Sequence, residues 1–242
     1  MNAETYYHAY EKRYQAVYAA GAERWGHSPD EPELLAAISD WVARNGLEGK
    51  RVVEFACGEG AVGVILSRLG CVYHGVDISP SAVEKTKAAI AGFPHASVQL
   101  LDMVKQRVTG GFDAAVDCMG LHMIILDSHR KQYLSNAHAV LVPGAPMLFY
   151  RESYRENAYD GLVENWGQWL SITGDDYEKP ELRRVLDSDI SVSVPLVPGR
   201  ARTKNGYERE LRDAGFDVIC IQELEINQQN PYSVAIQVRK CQ

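Results

Sequence analysis

Residues 52–63 constrain the fold of this chain more than any other stretch. Residues 52–56 form a short run that is apolar except for one acid, which is typical of a buried strand. Gly58 and Gly60 then allow a sharp turn with no Cβ between the backbone and a ligand. An apolar helical pattern starts at Ala61. A strand, a glycine turn and a helix N-terminus in this order predict a nucleotide-binding site.

Two kinds of nucleotide site fit this stretch, and the acid in the strand separates them. Gly58, Gly60 and Gly63 read as G-x-G-x-x-G, the dinucleotide fingerprint. An ionised Glu54 in an otherwise apolar strand is costly to bury unless it meets a partner. A nicotinamide dinucleotide offers no such partner there, because its pyrophosphate is itself anionic. We therefore favour a second frame, that is, a second way to align this stretch with a known motif, which starts at Glu54.

The second frame consists of Glu54, Ala56, Gly58 and Gly60. It resembles the acidic-x-Gly-x-Gly-x-Gly motif of class I S-adenosylmethionine (SAM) methyltransferases, although Ala56 stands where the family has glycine. The resemblance implies that SAM is the cofactor and S-adenosylhomocysteine the product. It also implies that Glu54 meets the cationic ammonium group of the methionine part of SAM.

Two further acids follow the second and third expected strands. Asp77 suits the two hydroxyls of a ribose, which either kind of site requires, or it neighbours a helix cap. The resemblance implies that Asp102 meets the adenine amino group and that the backbone of Met103 meets the ring. The alternative for Asp102 is a surface loop. The predicted cofactor-binding residues are Tyr14, Glu54, Ala56, Cys57, Gly58, Gly60, Asp77, Ile78, Asp102, Met103 and Cys118.

Strand and helix patterns alternate along most of the chain. Strands are expected at residues 52–56, 71–76, 97–101, 145–150, 216–225 and 232–239 and within residues 110–119, and helices at 4–20, 32–45, 61–69, 80–91, 127–141 and 203–214. The resemblance covers about residues 50–150 and 203–239. Together they predict an α/β fold with a doubly wound, seven-stranded sheet, mostly parallel and with an antiparallel last strand.

We expect three parts in the chain. Residues 47–150 and 203–242 form the predicted SAM-binding Rossmann-like domain. Residues 1–46 form an N-terminal helical cap, and residues 151–202 form an insertion after strand five that covers the substrate.

Local patterns give the cap and the insertion their expected elements. Tyrosines spaced four apart in residues 4–20 predict either a helix face packed on the core or a lid over cofactor and substrate. In the insertion, apolar residues from Tyr159 to Leu170 predict one helix. Residues 174–180 are an expected polar loop, and residues 191–194 an expected short strand.

Composition excludes several classes of function. The 242 residues are 46% hydrophobic and 24% charged, as expected of a globular chain. A formal charge of −7 without a Lys/Arg run argues against nucleic acid as a partner. No stretch has the roughly 20 apolar residues that span a bilayer. The first residues lack a signal-peptide pattern. Five cysteines without a Cys-x-x-Cys pair predict reduced thiols and a cytoplasmic location. The histidines show no metal-ligand spacing, so no metal is expected.

Side chains at the ends of strands four and five are the candidates for chemistry. His122 follows strand four, so it is either a catalytic base or a hydrogen-bonded packing residue. Tyr150, Arg151 and Tyr154 lie at the end of strand five, where substrate is expected. Arg151 could hold an acidic substrate or pair with Glu152. The last predicted substrate-binding residues are Trp25 and Trp166, which core packing explains equally well.

The sequence as a whole predicts transfer of a methyl group from SAM to an oxygen, nitrogen, sulfur or carbon atom of a small molecule by in-line displacement. One alternative is an NAD(P)-dependent oxidoreductase, but no Tyr-x-x-x-Lys set follows strand four or five. The other alternative is a SAM-binding protein without catalysis. The oligomeric state stays open.

Overall fold

The computed structural model describes residues 6–185, 188–225 and 232–241. Its helices are α1 (Ala9–Ala19), α2 (Pro32–Asn45), α3 (Ala61–Arg68), α4 (Pro80–Ile90), α5 (Asp127–Val140), α6 (Trp166–Thr173) and α7 (Lys204–Asp213), with 3-10 turns at Tyr6–His8 and Leu121–Met123. Its strands are β1 (Arg51–Phe55), β2 (Val72–Asp77), β3 (Ala96–Leu100), β4 (Ala114–Cys118), β5 (Pro146–Ser153), β6 (Pro180–Arg184), β7 (Ser191–Pro195), β8 (Phe216–Glu223) and β9 (Ser233–Lys240).

Seven of these strands form one sheet in the order β3-β2-β1-β4-β5-β9-β8. The first five strands in this order are parallel, whereas β9 runs antiparallel to both β5 and β8. Alternate residues of β1 enter different apolar clusters, with Val53 and Phe55 in one and Val52 in the other. The sheet is therefore covered on both faces, and the predicted doubly wound α/β fold with an antiparallel last strand is confirmed.

Helix α1 lies between the sheet domain and the segment that follows β5. Glu11 accepts hydrogen bonds from the hydroxyls of Ser79 and Ser81 at the start of α4. Tyr6, in the turn before α1, stacks on Trp166 with ring centroids 5.9 Å apart, while Tyr14 lines a cavity. Part of the tyrosine row therefore packs in the core and part faces the cavity, while its expected role as a lid stays a prediction. The division of the chain into a cap, a core and an insertion stays a prediction.

Residues 151–202 differ from expectation in two respects. The helix is shorter than predicted, because the side chain of Asn165 caps it by accepting from the amide of Gln168. Tyr159, Leu162 and Val163 therefore precede α6. In addition, β6 pairs with β7 as a separate two-stranded antiparallel sheet that the sequence analysis did not anticipate.

Strand β5 extends further than expected, as far as Ser153. Arg151 has a φ of 61°, and the pairing with β9 shifts register between Phe149 and Glu152. Such an irregularity interrupts the alternation of side chains between the two faces of a sheet. Residues 227–231, which we expect to join the last two strands as a turn, lie outside the described residues.

Candidate functional site

A cavity of about 530 Å³ lies at the carboxyl ends of the parallel strands. Its walls come from α1, the loop after β1, the ends of β2 and β4, and the β6–β7 hairpin. In an open parallel sheet this edge is where ligands bind, because the connections to the helices diverge there.

The loop after β1 holds its shape through left-handed backbone conformations. Gly58 has a φ of 54° and Gly60 a φ of 85°. A Cβ on Gly58 would lie 3.1 Å from the hydroxyl of Tyr14, so the loop and α1 approach closely. Ala56 also has a positive φ, 51°, which costs an alanine about 1 kcal/mol that a glycine would not pay. This conformation gives a physical reason for a glycine at that position of the motif.

Glu54 is a buried carboxyl in the cavity wall, with only 2% of its surface exposed. Its Oε2 accepts a hydrogen bond of 2.6 Å from the hydroxyl of Tyr73. Burial raises the pKa of Glu54 to about 8, although the Tyr73 hydroxyl opposes this shift. A carboxyl in this state gains most from a cationic ligand group, because such a group restores its charged form.

Asp77 and Asp102 present their carboxylates at two other points of the wall. Asp77 accepts from the amides of Gly58 and Ser79, each at 2.8 Å, and its burial raises its pKa. Asp102 accepts from the hydroxyl of Tyr7 at 3.2 Å and from the amide of Val104 at 2.9 Å. Each carboxylate is therefore fixed by its own loop and by a second segment, the loop after β1 for Asp77 and the turn before α1 for Asp102, while it remains in the cavity wall.

The structure brings the predicted cofactor-binding set together with one exception. The predicted residues that line the cavity are Tyr14, Glu54, Ala56, Cys57, Gly58, Asp77, Ile78, Asp102, Met103 and Cys118. Gly60 lies behind the wall at the start of α3, where a Cβ would come within 3.0 Å of Thr86. Gly60 therefore contributes to the shape of the loop and does not line the cavity.

His122 lines the same cavity and is held from behind by Glu152. Oε2 of Glu152 accepts from the backbone amide of His122 at 2.7 Å and lies 2.9 Å from its Nδ1. The side chain of Glu152 is fully buried. The ring is thereby fixed in the wall, and no hydrogen bond engages its Nε2 among the residues that the structure describes.

Four of the five predicted substrate-binding residues lie away from the cavity, while Trp25 lines it. The guanidinium of Arg151 pairs with Glu31 at the start of α2. Tyr150 packs in the apolar cluster on one face of the sheet and carries that guanidinium 5.3 Å from its ring centroid. The two side chains therefore contact α2 and the core.

Tyr154 and Trp166 also face elsewhere. Tyr154 lies with its ring centroid 5.6 Å from the ammonium of Lys204, and Trp166 packs on Tyr6 and Tyr177. The sequence interpretation took the end of β5 as a cavity wall, but the strand continues and bulges beyond Tyr150. The structure therefore does not support a place in this cavity for Tyr150, Arg151, Tyr154 or Trp166.

Glu59 is a cavity residue that sequence reasoning missed. Its carboxylate accepts from the amides of Trp25 and Gly26 and from the hydroxyl of Tyr18. It therefore joins the glycine loop to the chain that follows α1. The only sequence signal was an acid between two glycines, and nothing in the sequence indicates its partners.

A second group that sequence reasoning missed lies where α1 meets the hairpin. It consists of Arg13 from α1 and of Glu181 and Arg183 from β6. Arg13 donates to Glu181 at 2.6 Å and to the carbonyl of Pro195 at 2.9 Å, and Arg183 also pairs with Glu181. This group joins α1 to both strands of the hairpin. It could not be found without β6, because the sequence analysis assigns only Pro180 of this strand, to the expected polar loop, and predicts no element for residues 181–184.

Comparison with known proteins adds to this geometry. A family model described as a methyltransferase domain matches residues 53–147, the segment from β1 to β5 that carries Glu54, Asp77 and Asp102. The chain therefore contains a methyltransferase domain over these residues.

Several solved methyltransferases share the fold. The chain matches a 1,6-didemethyltoxoflavin N1-methyltransferase of Burkholderia thailandensis, solved with 1,6-didemethyltoxoflavin and S-adenosylhomocysteine, at a TM-score of 0.70 and 16% identity over 100% of this chain and 92% of that one. It matches the CcbJ methyltransferase of Streptomyces caelestis at 0.68 and 14% identity, over 96% and 99%. It matches the magnesium protoporphyrin IX methyltransferase of Synechocystis, solved with SAM, at 0.64 and 11% identity, over 97% of each chain.

Two other features are absent from the part of the chain that the structure describes. No group of three or more His, Cys, Asp or Glu side chains could hold a metal ion. None of the helices described is both long and apolar enough to cross a membrane.

Proposed function

We propose that this methyltransferase methylates a small molecule that enters the cavity beside the cofactor. The observation that carries the proposal is the continuity of one cavity from Glu54, Asp77 and Asp102 to His122 and Trp25. Its volume of about 530 Å³ falls in the range of small-molecule sites. The bound 1,6-didemethyltoxoflavin in the Burkholderia thailandensis protein supports the same substrate class.

The residues of the wall suit the parts of SAM. Glu54 would hold the ammonium group, Asp77 the ribose hydroxyls, and Asp102 the adenine amino group. A Cβ on Gly58 would crowd the hydroxyl of Tyr14 at 3.1 Å, so a glycine suits a loop whose backbone would contact the ligand. SAM, when bound, supplies a methyl group on a cationic sulfur.

His122 is the proposed base for an acceptor that must lose a proton. Nε2 takes the proton from the acceptor O–H, N–H or S–H while the acceptor atom takes the methyl group. The products are the methylated acceptor, S-adenosylhomocysteine and a proton that His122 later releases to water. The position of the His122 ring in the cavity wall and its support by Glu152 favour this role.

The cellular setting belongs to the same proposal. All five cysteines are free thiols in the structure, which supports a reducing cytoplasmic location. The net charge of −7 supports a small-molecule acceptor over nucleic acid.

The test is methyl transfer from labelled SAM to a panel of small phenols, amines, thiols and carboxylates. We expect label in at least one acceptor.

We expect His122→Gln to lower kcat about 100-fold or more, with unchanged affinity for S-adenosylhomocysteine. His95→Gln is the matched control, because His95 is exposed in the loop before β3. Tight binding of S-adenosylhomocysteine with no transfer to any acceptor would instead indicate a SAM-binding protein without catalysis, and full activity of the His122 variant would remove its role.

A further inference from the structure

Two carboxyl side chains are fully buried beneath the cavity wall. Asp117 lies near the end of β4 and Glu152 lies in β5, and both residues are 0% exposed. Two buried negative charges repel each other and lose their hydration, so such a pair normally keeps one proton. The position of that proton decides how the neighbouring His122 behaves.

The hydrogen bonds of the two carboxyls differ in kind. Asp117 accepts from the amide of Gly120 at 2.6 Å and from the hydroxyl of Tyr133 at 2.7 Å. Glu152 places both of its short contacts on His122, at the backbone amide and at Nδ1. Its other oxygen, Oε1, is buried without a hydrogen-bond partner in the structure. Only Glu152 therefore touches a group that can become a cation.

The charges around the pair favour a proton on Asp117. Burial and the nearby charge of Glu152 raise the pKa of Asp117 well above its usual range, although the hydrogen bonds from Tyr133 and Gly120 oppose this shift. Burial likewise raises the pKa of Tyr133, so its hydroxyl stays neutral. The other titratable groups facing the pair, from α5, α7, β1 and β4, are Arg130, Tyr207, Glu54 and Cys118.

Arg130 is the cation among these neighbours, and its charge is already engaged. Its guanidinium forms two hydrogen bonds with Glu210, at 2.6 and 2.7 Å, and donates to the carbonyls of Leu121 and Ile124. It therefore fixes the turn that carries His122, and the carboxylate closest to the His122 ring remains that of Glu152.

We propose that Glu152 is a positioning residue that carries the single negative charge of this pair, while Asp117 stays protonated. A carboxylate accepts only, so it holds the hydrogen of neutral His122 on Nδ1 and leaves the lone pair of Nε2 for the cavity. The inference rests on the proposed function, in which His122 is the base.

The charge of Glu152 matters when His122 takes up a proton. When Nε2 takes a proton from the acceptor, the ring becomes cationic beside an anionic carboxylate, and the Glu152–His122 pair becomes neutral as a whole. No proton has to leave Asp117 or Glu152 during this step. After release of the product, Nε2 returns its proton to water.

The test is long-range ¹H–¹⁵N spectroscopy of the whole protein labelled on histidine, with S-adenosylhomocysteine present. His122→Gln identifies the His122 signals by their loss. We expect the wild-type ring to be in the Nδ1–H form when neutral. In Glu152→Gln we expect the Nε2–H form to appear, because an amide can also donate, and the titration midpoint of the ring to fall by about one pH unit or more. In Asp117→Asn we expect both readouts to stay near wild type.

Three results would overturn the proposal. These are an Nε2–H ring in the wild type, a Glu152→Gln ring that titrates as in the wild type, or a midpoint that falls in Asp117→Asn instead. The wild-type spectrum tests the tautomer even if a variant fails to fold. Calorimetric titration of each sample with S-adenosylhomocysteine reports the cofactor site separately, so failure to find an acceptor does not affect this result.

Discussion

The proposed contact of Glu54 with the ammonium group of the cofactor predicts that cofactor binding depends on pH. Its pKa of about 8 means that the free protein carries a neutral carboxyl at neutral pH, whereas an ammonium ligand requires the charged form. We therefore expect the affinity for S-adenosylhomocysteine to rise with pH up to about 8, with release of a proton on binding. Calorimetry in buffers of different ionisation enthalpy measures the number of protons released on binding.

Glu54→Gln is the matched variant for this prediction. It should bind S-adenosylhomocysteine about 10- to 100-fold more weakly, as expected for a lost charged hydrogen bond, and without the pH dependence. Equal affinity of variant and wild type at pH 8 would remove Glu54 from the cofactor site.

The same residue affects stability in the opposite direction. Its pKa is raised from 4.5 to about 8 on folding, so the folded state favours the protonated form. The contribution of Glu54 to the stability of the free protein should be greatest below pH 4.5 and should be lost as pH rises through about 8. We expect free Glu54→Gln to melt at a higher temperature than the wild type at pH 8, with a smaller difference at pH 5. A difference that shrinks as pH rises would contradict the assigned shift.

Asp77 gives a sharper test of the ribose site. Asp77→Asn removes the charge of a carboxylate that faces the cavity, so affinity for S-adenosylhomocysteine should fall about tenfold or more. Asp113→Asn is the control, because Asp113 also accepts from a backbone amide, that of Arg51, but at the opposite edge of the sheet. Unchanged calorimetric affinity in Asp77→Asn would contradict the assignment of this residue.

Position in a strand explains which residues could be predicted. Glu54, Asp77 and Asp102 could be found because each lies at or just after the carboxyl end of a strand, and strand ends are visible in the sequence. Glu59 and Glu152 could not, because their roles depend on partners that the fold brings from elsewhere, such as Trp25 and His122.

At the scale of elements, Glu59 connects the glycine loop to the chain after α1. In Glu59→Gln the amides of Trp25 and Gly26 lose a charged acceptor, so their hydrogen exchange should be about tenfold faster. The affinity for S-adenosylhomocysteine should fall together with the protection of these two amides. Glu84→Gln is the control, since Glu84 is exposed and pairs with Lys87 on the surface. Equal protection in Glu59→Gln and the wild type would show that other contacts hold this segment.

Periodicity predicted the elements of the sheet domain and was less successful in the insertion. β1, β2, β4 and β5 are largely apolar and each follows a glycine, β3 follows a proline, and the structure contains each of them near its expected position. β6 has the sequence Pro-Glu-Leu-Arg-Arg with Leu182 exposed, so no buried face marks it as a strand. Its pairing with β7 and the contact of Arg13 with Glu181 define it instead.

At the scale of the whole molecule, ligand binding should raise the melting temperature. A ligand at 100 times its Kd adds about 2.7 kcal/mol, which corresponds to roughly 5–10 °C for a chain of this size. We expect this shift with S-adenosylhomocysteine and none with NAD or NADP, which lack an ammonium group for Glu54. Thermal unfolding with each ligand in parallel makes the comparison. A shift with NADP alone would favour the G-x-G-x-x-G frame of the glycine loop.

The contact between Tyr14 and Gly58 places one wall of the cofactor site on a helix from the start of the chain, while the other walls belong to the sheet. A compound that joins the S-adenosylhomocysteine skeleton to a flat aromatic group would touch α1, the glycine loop and Trp25 at once. Its residence time would then depend on how often α1 separates from the loop. Inhibitors of this enzyme can therefore gain potency by slow release, and substitutions in the Glu59 contacts should shorten that residence time.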